Sequence, residues 1–204
     1  MKELRSLFSP LTLLLVLLLF SAVVAPAQNQ VMGEIQFVGA TKAEKTSGVW
    51  VDGQYVGYLD ELKGDKKVLL LPGEHEITVR QAGYKEFKQT LIVEPGGTHI
   101  LRVVMERDPR AQYPAVTARI KLSVTPDRAA VFLDDAFVGH VHELGGVGRS
   151  LLVSPGRHRI KIALPGYRPF ETEVSLLPKQ QFKLKTDLVK GSITQAGPEV
   201  KPPQ

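Results

Sequence analysis

His140 and His142 stand two apart in a stretch that reads as a strand, so both rings project from one face. Two imidazoles so placed are the start of a zinc or copper site, with Glu143 or Asp134 close enough in sequence to add a carboxylate. They are an incomplete ligand set, and the matching stretch earlier in the chain carries Tyr58 and Asp60 instead. The simpler expectation is a solvated strand face. Gly145-Gly146-Val147-Gly148-Arg149-Ser150 has the glycine density of a phosphate loop. Such a loop needs Lys ahead of Ser or Thr, a strand before it and a helix after it, so that amides and helix dipole converge on phosphate. Arg149 replaces the lysine, and the strand-like Leu151-Leu152-Val153 follows, which makes this a hairpin loop. His75 and His158 each follow a Pro-Gly pair and are in step with Ile77/Val79 and Ile160/Ile162. They are expected to cap the core and bond to backbone.

No other constellation suggests turnover. There is no cysteine among the 204 residues, which excludes thiol catalysis, disulfides, iron–sulfur clusters and cysteine zinc sites. The G-x-S-x-G and H-E-x-x-H spacings are absent, and the carboxylates are scattered. The chain reads as a non-enzyme that needs no cofactor. Charge is more informative. Residues 31–107 carry a net charge of −1 and residues 119–186 a net charge of +5. Arg157, Arg159 and Lys161 alternate along one strand, and Lys183 and Lys185 along another. If those strands are neighbours, the five form one cationic face for an anionic partner: an acidic protein, phospholipid headgroups or an anionic polymer.

The elements that must hold these residues are strands. Ile120, Leu122 and Val124 alternate with polar residues, as do His158, Ile160 and Ile162, the period of a half-buried strand. Asp52-Gly53 predicts a hairpin turn, and Pro72-Gly73 and Pro155-Gly156 suit type II turns. Gly83-Tyr84 and Gly166-Tyr167 predict positive-φ corners with the ring folded onto the core. No segment after the leader has sustained helical periodicity. The pattern is also written twice. Val49–Gly57 aligns with Val131–Gly139 and Pro72–Phe87 with Pro155–Phe170, with one extra residue placed at Ser154; 16 of 45 aligned positions are identical.

Lys2 and Arg5 precede an apolar run, Leu11 to Phe20, and Ala25-Pro26-Ala27 completes the A-x-A end of a secretory signal peptide. The expected cut follows Ala27; the alternative is an uncleaved membrane anchor. The expected organisation is a signal peptide helix at 1–27, a first β-sandwich at 28–107, a Pro-containing linker at 108–118, a second β-sandwich at 119–187 and a disordered tail at 188–204. The fold class is therefore all-β, two tandem small antiparallel sandwiches.

Leu122-Ser123-Val124-Thr125-Pro126, Ala130-Val131-Phe132-Leu133-Asp134 and Val138-Gly139, with the later Pro-Gly and Gly-Tyr landmarks, resemble the PEGA domain family. Val51-Asp52-Gly53 and Val56-Gly57 carry the resemblance in the first copy. The literal Pro-Glu-Gly-Ala tetrapeptide is absent, the first copy has a longer entry at Gly39–Gly48, and Asp135 replaces the turn glycine of the second. The resemblance implies a non-catalytic module of the bacterial cell envelope, periplasmic or extracellular, and it brings no functional residues. The resulting expectation is a binding or scaffolding protein whose partner is an unknown envelope protein or anionic polymer, not nucleic acid. The alternatives are a carbohydrate-binding module using Trp50, Tyr55 or Tyr58, although Trp50 and Tyr55 align with Phe132 and Phe137 and look like core, and a metal-handling protein using His140 and His142.

Overall fold

A computed structural model describes residues 31–112 and 114–191. The signal segment lies outside the described residues, as do Tyr113 in the linker and the tail from residue 192.

The first lobe has seven strands: β1 (Gly33–Val38), β2 (Gly48–Val51), β3 (Gln54–Tyr58), β4 (Val68–Leu70), β5 (Gly73–Arg80), β6 (Phe87–Val93) and β7 (Thr98–Arg102). A short helix, α1 (Lys42–Thr46), fills the long entry. Its Thr41–Glu44 capping box satisfies the first amides of the turn. The buried Glu44 carboxylate accepts from the amides of Thr41, Ala40 and Met105, and these bonds, that of Thr41 foremost, hold its pKa low against the cost of burial. The second lobe repeats the set as β8 (Ala118–Thr125), β9 (Ala130–Leu133), β10 (Ala136–His140), β11 (Leu151–Val153), β12 (Gly156–Ala163), β13 (Phe170–Leu176) and β14 (Gln181–Asp187). Its one helical turn is α2 (Val141–Leu144).

Strand order repeats with the sequence. Each lobe has a three-stranded sheet, β4-β1-β7 or β11-β8-β14, and a four-stranded sheet, β3-β2-β5-β6 or β10-β9-β12-β13. The two sheets of a lobe share a core, with Ile120, Leu122 and Leu184 on one side and Ile160, Ile162 and Val174 on the other. The all-β, two-lobe expectation holds. The sheets are not wholly antiparallel, however. The first and last strands of each lobe run parallel, β1 with β7 and β8 with β14. Parallel neighbours require a long crossover, and here the rest of the lobe serves as that crossover.

Register also moves the inserted residue. Leu151 pairs with Ile120 and Leu152 with Arg119, as Val68 pairs with Ile35 and Leu69 with Glu34. Leu152 and Leu69 are therefore equivalent, both exposed, and the extra residue lies in the Gly145–Ser150 loop, not at Ser154. The Leu69-Leu70-Leu71 run gains identities when slipped by one, but in a strand that slip exchanges the core and solvent faces.

The turns are partly as read. Asp52 and Gly53 have φ of 50° and 78°, and Asp134 and Asp135 have 51° and 67°, the two positive values of a type I′ hairpin. Gly73 and Gly156 lie at 141° and 131°, far from the roughly +80° of a type II turn. They are instead the first residues of β5 and β12. Residues 188–191, expected in the tail, belong to the fold: Leu188 is buried and donates to the Thr125 carbonyl, and Gly191 donates to that of Gly166.

Candidate functional site

Three groups of polar residues were candidates, and the structure gives each a different setting. His75 and His158 cap their lobes in the same way. His75 Nδ1 lies 2.7 Å from Asp52 Oδ2, and Nε2 lies 2.9 Å from the Leu71 carbonyl. His158 Nδ1 lies 2.7 Å from Asp134 Oδ2, and Nε2 lies 2.8 Å from the Ser154 carbonyl. The other oxygen of each aspartate accepts the next backbone amide, Glu76 N or Arg159 N. A carboxylate on one nitrogen and a carbonyl on the other call for a proton on both, the imidazolium form. The Asp52 bond raises the His75 pKa. Burial opposes the charge on His158, but the bonds to Asp134 and Ser154 outweigh it and the pKa is again raised. Sequence reading anticipated the backbone bond but missed the aspartate. Its signal was the Asp that opens both hairpin turns.

His140 and His142 do not share a solvated face. Glycine at 139 (φ 142°) leads into the last residue of β10, and the chain then turns into α2. His140 is 1% exposed, and neither of its ring nitrogens has a hydrogen-bond partner among the described residues. Tyr58 stacks on it at 4.0 Å between ring centroids, and His142 lies parallel to it at 6.2 Å. Imidazole lone pairs lie in the ring plane, so two stacked parallel rings do not aim at one ion. His142 instead bonds Asp127 through Nδ1 at 2.9 Å. Among the described residues no group of three or more His, Asp or Glu is placed to hold a metal. Burial pushes the His140 pKa down to about 4.

The stack belongs to an interface between the lobes. Equivalent residues meet each other there: Trp50 with Phe132, Tyr55 with Phe137, and Tyr58 with His140. The polar rim follows the same rule. Glu61 takes Arg128 at 3.2 Å, and Glu143, its equivalent, accepts from the hydroxyl of Thr46, the equivalent of Arg128. This is the self-complementary contact of a two-fold dimer, built within one chain. Alternate residues of β2 point to opposite cores, Val49 and Val51 into the first lobe and Trp50 against the second. At Gly48 a Cβ would come within 2.8 Å of the Phe137 ring, so the close approach depends on glycine. Trp50 and Tyr55 are thus buried as expected, in the inter-lobe contact, and the Tyr58 ring is stacked under His140.

The five cations proposed for a partner are divided between two surfaces. Arg157, Arg159 and Lys161 lie on β12, and Lys183 and Lys185 on β14, strands of different sheets whose inner faces share the core. The two sets therefore point from opposite sides of the sandwich. On β12 the charge is largely answered: Arg159 pairs with Asp135 and Lys161 with Glu171, and Glu173 lies opposite Arg159. On β14 it is not. Lys183 stands opposite Lys121 of β8, and Arg119 and Lys185 project from the same outer face. No carboxylate among the described residues lies within ion-pair distance of these four. Sequence reading missed Arg119 and Lys121 because only the parallel register brings β8 beside β14. The glycine loop follows a helical turn and precedes a strand, the reverse of a phosphate loop, and closes one side of a cleft of about 770 Å³ along this face.

A family model described as PEGA domain matches residues 142–192, a stretch of the second lobe that holds Pro155-Gly156 and Gly166-Tyr167. No curated protein matches the chain. Among solved structures, the chain is similar to the Bacillus anthracis TIE protein, 15% identical over 78% of this chain and 34% of that one, with a TM-score of 0.28. It thus spans about a third of that protein's length. It is also similar to GBS52, the minor pilin of Streptococcus agalactiae, 9% identical over 82% of this chain and 99% of the other, with a TM-score of 0.23. Likenesses this distant do not bear on the function. Among the described residues no helix is long and apolar enough to cross a membrane.

Proposed function

We propose that the chain is an exported, non-catalytic module of the cell envelope, made of two PEGA-like repeats locked into one body, that binds an anionic envelope component. The observation that carries this reading is the outer face of β8 and β14, where Arg119, Lys121, Lys183 and Lys185 stand together with no carboxylate of the described residues within ion-pair distance, and where Asp187, at the end of β14, is the one acid of the two strands on that face. The match over residues 142–192 supports the family of the second lobe. The matching strand order extends the reading to the first. The lobe interface supports a scaffold, because burying Trp50, Phe132 and Phe137 leaves the three-stranded sheets as free outer faces.

Site-specific photo-crosslinking in the source cell tests this. A crosslinker at Gln181, among the cations, is expected to capture an envelope component. One at Ser175, on the outer face of β13, is expected to capture none. Equal capture from both positions, or none from either, would overturn the reading.

A further inference from the structure

Resting on that cationic face, we propose that its ligand is a linear anionic polysaccharide, laid along β8 and β14 in the cleft beside the Gly145–Arg149 loop. The first observation is uncompensated charge. The parallel register sets Lys121 opposite Lys183, a like-charge pair that disfavours the sheet unless an anion lies between them. The equivalent pair in the first lobe is Gln36 opposite Ile100. Nothing in the fold therefore requires lysine at these positions.

The second observation is spacing. Strands lie about 4.8 Å apart and alternate residues about 6.6 Å apart along a strand, so the four cations form a lattice at those intervals. A polymer with a carboxylate on each sugar can meet several of them together. The third is what lies between the cations. Ser123, Thr125 and Gln181 share the outer face and offer hydroxyl and amide groups to sugar hydroxyls, while the acids lie to one end, Asp187 opposite Thr125 and Asp127 in the cleft bonded to His142. Among the described residues no aromatic ring lines the cleft except that of His142, so recognition is by charge and hydrogen bonds, not by ring stacking. The fourth is shape. The loop walls one side of the face, which suits a chain lying in a trough better than a flat membrane. Its tip carries one apolar side chain, Val147, fully exposed between glycines.

The experiment is isothermal titration of the chain from residue 28 with an oligogalacturonate about ten sugars long. Binding is expected, weakening about tenfold as salt rises from about 50 to about 300 mM. The double variant Lys121→Gln/Lys183→Ile takes the first lobe's residues, so folding is preserved, and should lose about tenfold in affinity. Arg157→Glu/Arg159→Glu, on the opposite face, should bind within about twofold of the parent. No binding at low salt, equal loss in both double variants, or equal affinity for a neutral galactan would overturn the proposal. So would binding only to phosphatidylglycerol vesicles that Val147→Asp abolishes. If the oligogalacturonate fails while crosslinking from Gln181 still captures an envelope component, the binding face stands and only its ligand was misassigned.

Discussion

At the scale of single residues, the two capping histidines serve structure. His75 and His158 bind the start of a strand to the hairpin turn that precedes it, through an aspartate whose own backbone has positive φ. Both histidines have folded-state pKa values above the ordinary 6.5. Folding thus favours the imidazolium. That stabilisation is complete below pH 6.5 and lost as pH rises through the raised values. The urea midpoint should therefore fall between about pH 6 and about pH 8.5. In the Asp52→Asn/Asp134→Asn double variant, which removes the anion facing each ring, that fall should be much smaller. A parent midpoint that stays flat over this range would show that the imidazolium adds nothing to folding.

At the scale of elements, the β3 and β10 ends meet through Tyr58 and His140. His140 works in the opposite direction from the capping histidines. Its folded pKa of about 4 lies below the ordinary 6.5, so the unfolded chain takes up the proton first. Stability should decline as pH falls from about 6.5 towards about 4 and then level off, a loss on the order of 2 kcal/mol by about pH 5. His142 and Asp127 lie near His140, the first adding to the shift and the second opposing it. His140→Phe keeps a flat ring against Tyr58 and removes the titration. Urea unfolding of this variant at about pH 5 and about pH 7 should differ less than in the parent. An undiminished difference would place the acid sensitivity elsewhere, for example in Asp134, whose carboxyl is held below its ordinary value by His158 and the Arg159 amide against the cost of burial.

At the scale of the molecule, the lobe contact decides whether there are two domains or one cooperative body. Trp50, the only tryptophan, belongs to the first lobe's sequence but to the second lobe's core cluster. Its fluorescence therefore reports on the contact, whereas far-ultraviolet circular dichroism reports on the fourteen strands of the described residues together. The two probes should give coincident urea transitions. Phe137→Ala removes a ring 5.1 Å from the indole, and should lower stability by about 3 kcal/mol and shift Trp50 emission to the red. A fluorescence transition that precedes the circular dichroism transition in the parent would mean that the lobes separate before they unfold.

Sequence alone determined the class and the duplication of this protein, because both depend on local signals. Period-two alternation marks strands wherever one face is buried, and Asp52-Gly53, Gly83 and Gly166 need backbone angles that few residues adopt. The backbone bonds of His75 and His158 were legible for the same reason, since His, turn and strand are close in the chain. Only the tertiary structure decided which faces exist. Arg157 and Lys183 look alike in sequence, yet strand order puts them on opposite sides of a sandwich and gives one set its carboxylates. Lys121 and Lys183 are 62 residues apart, and a parallel register makes them neighbours. Period two says that a side chain points outward, but what it meets there depends on pairings between strands that are distant in sequence. For the same reason, the stacking of His140 on Tyr58 across the lobe interface could not be read from their spacing.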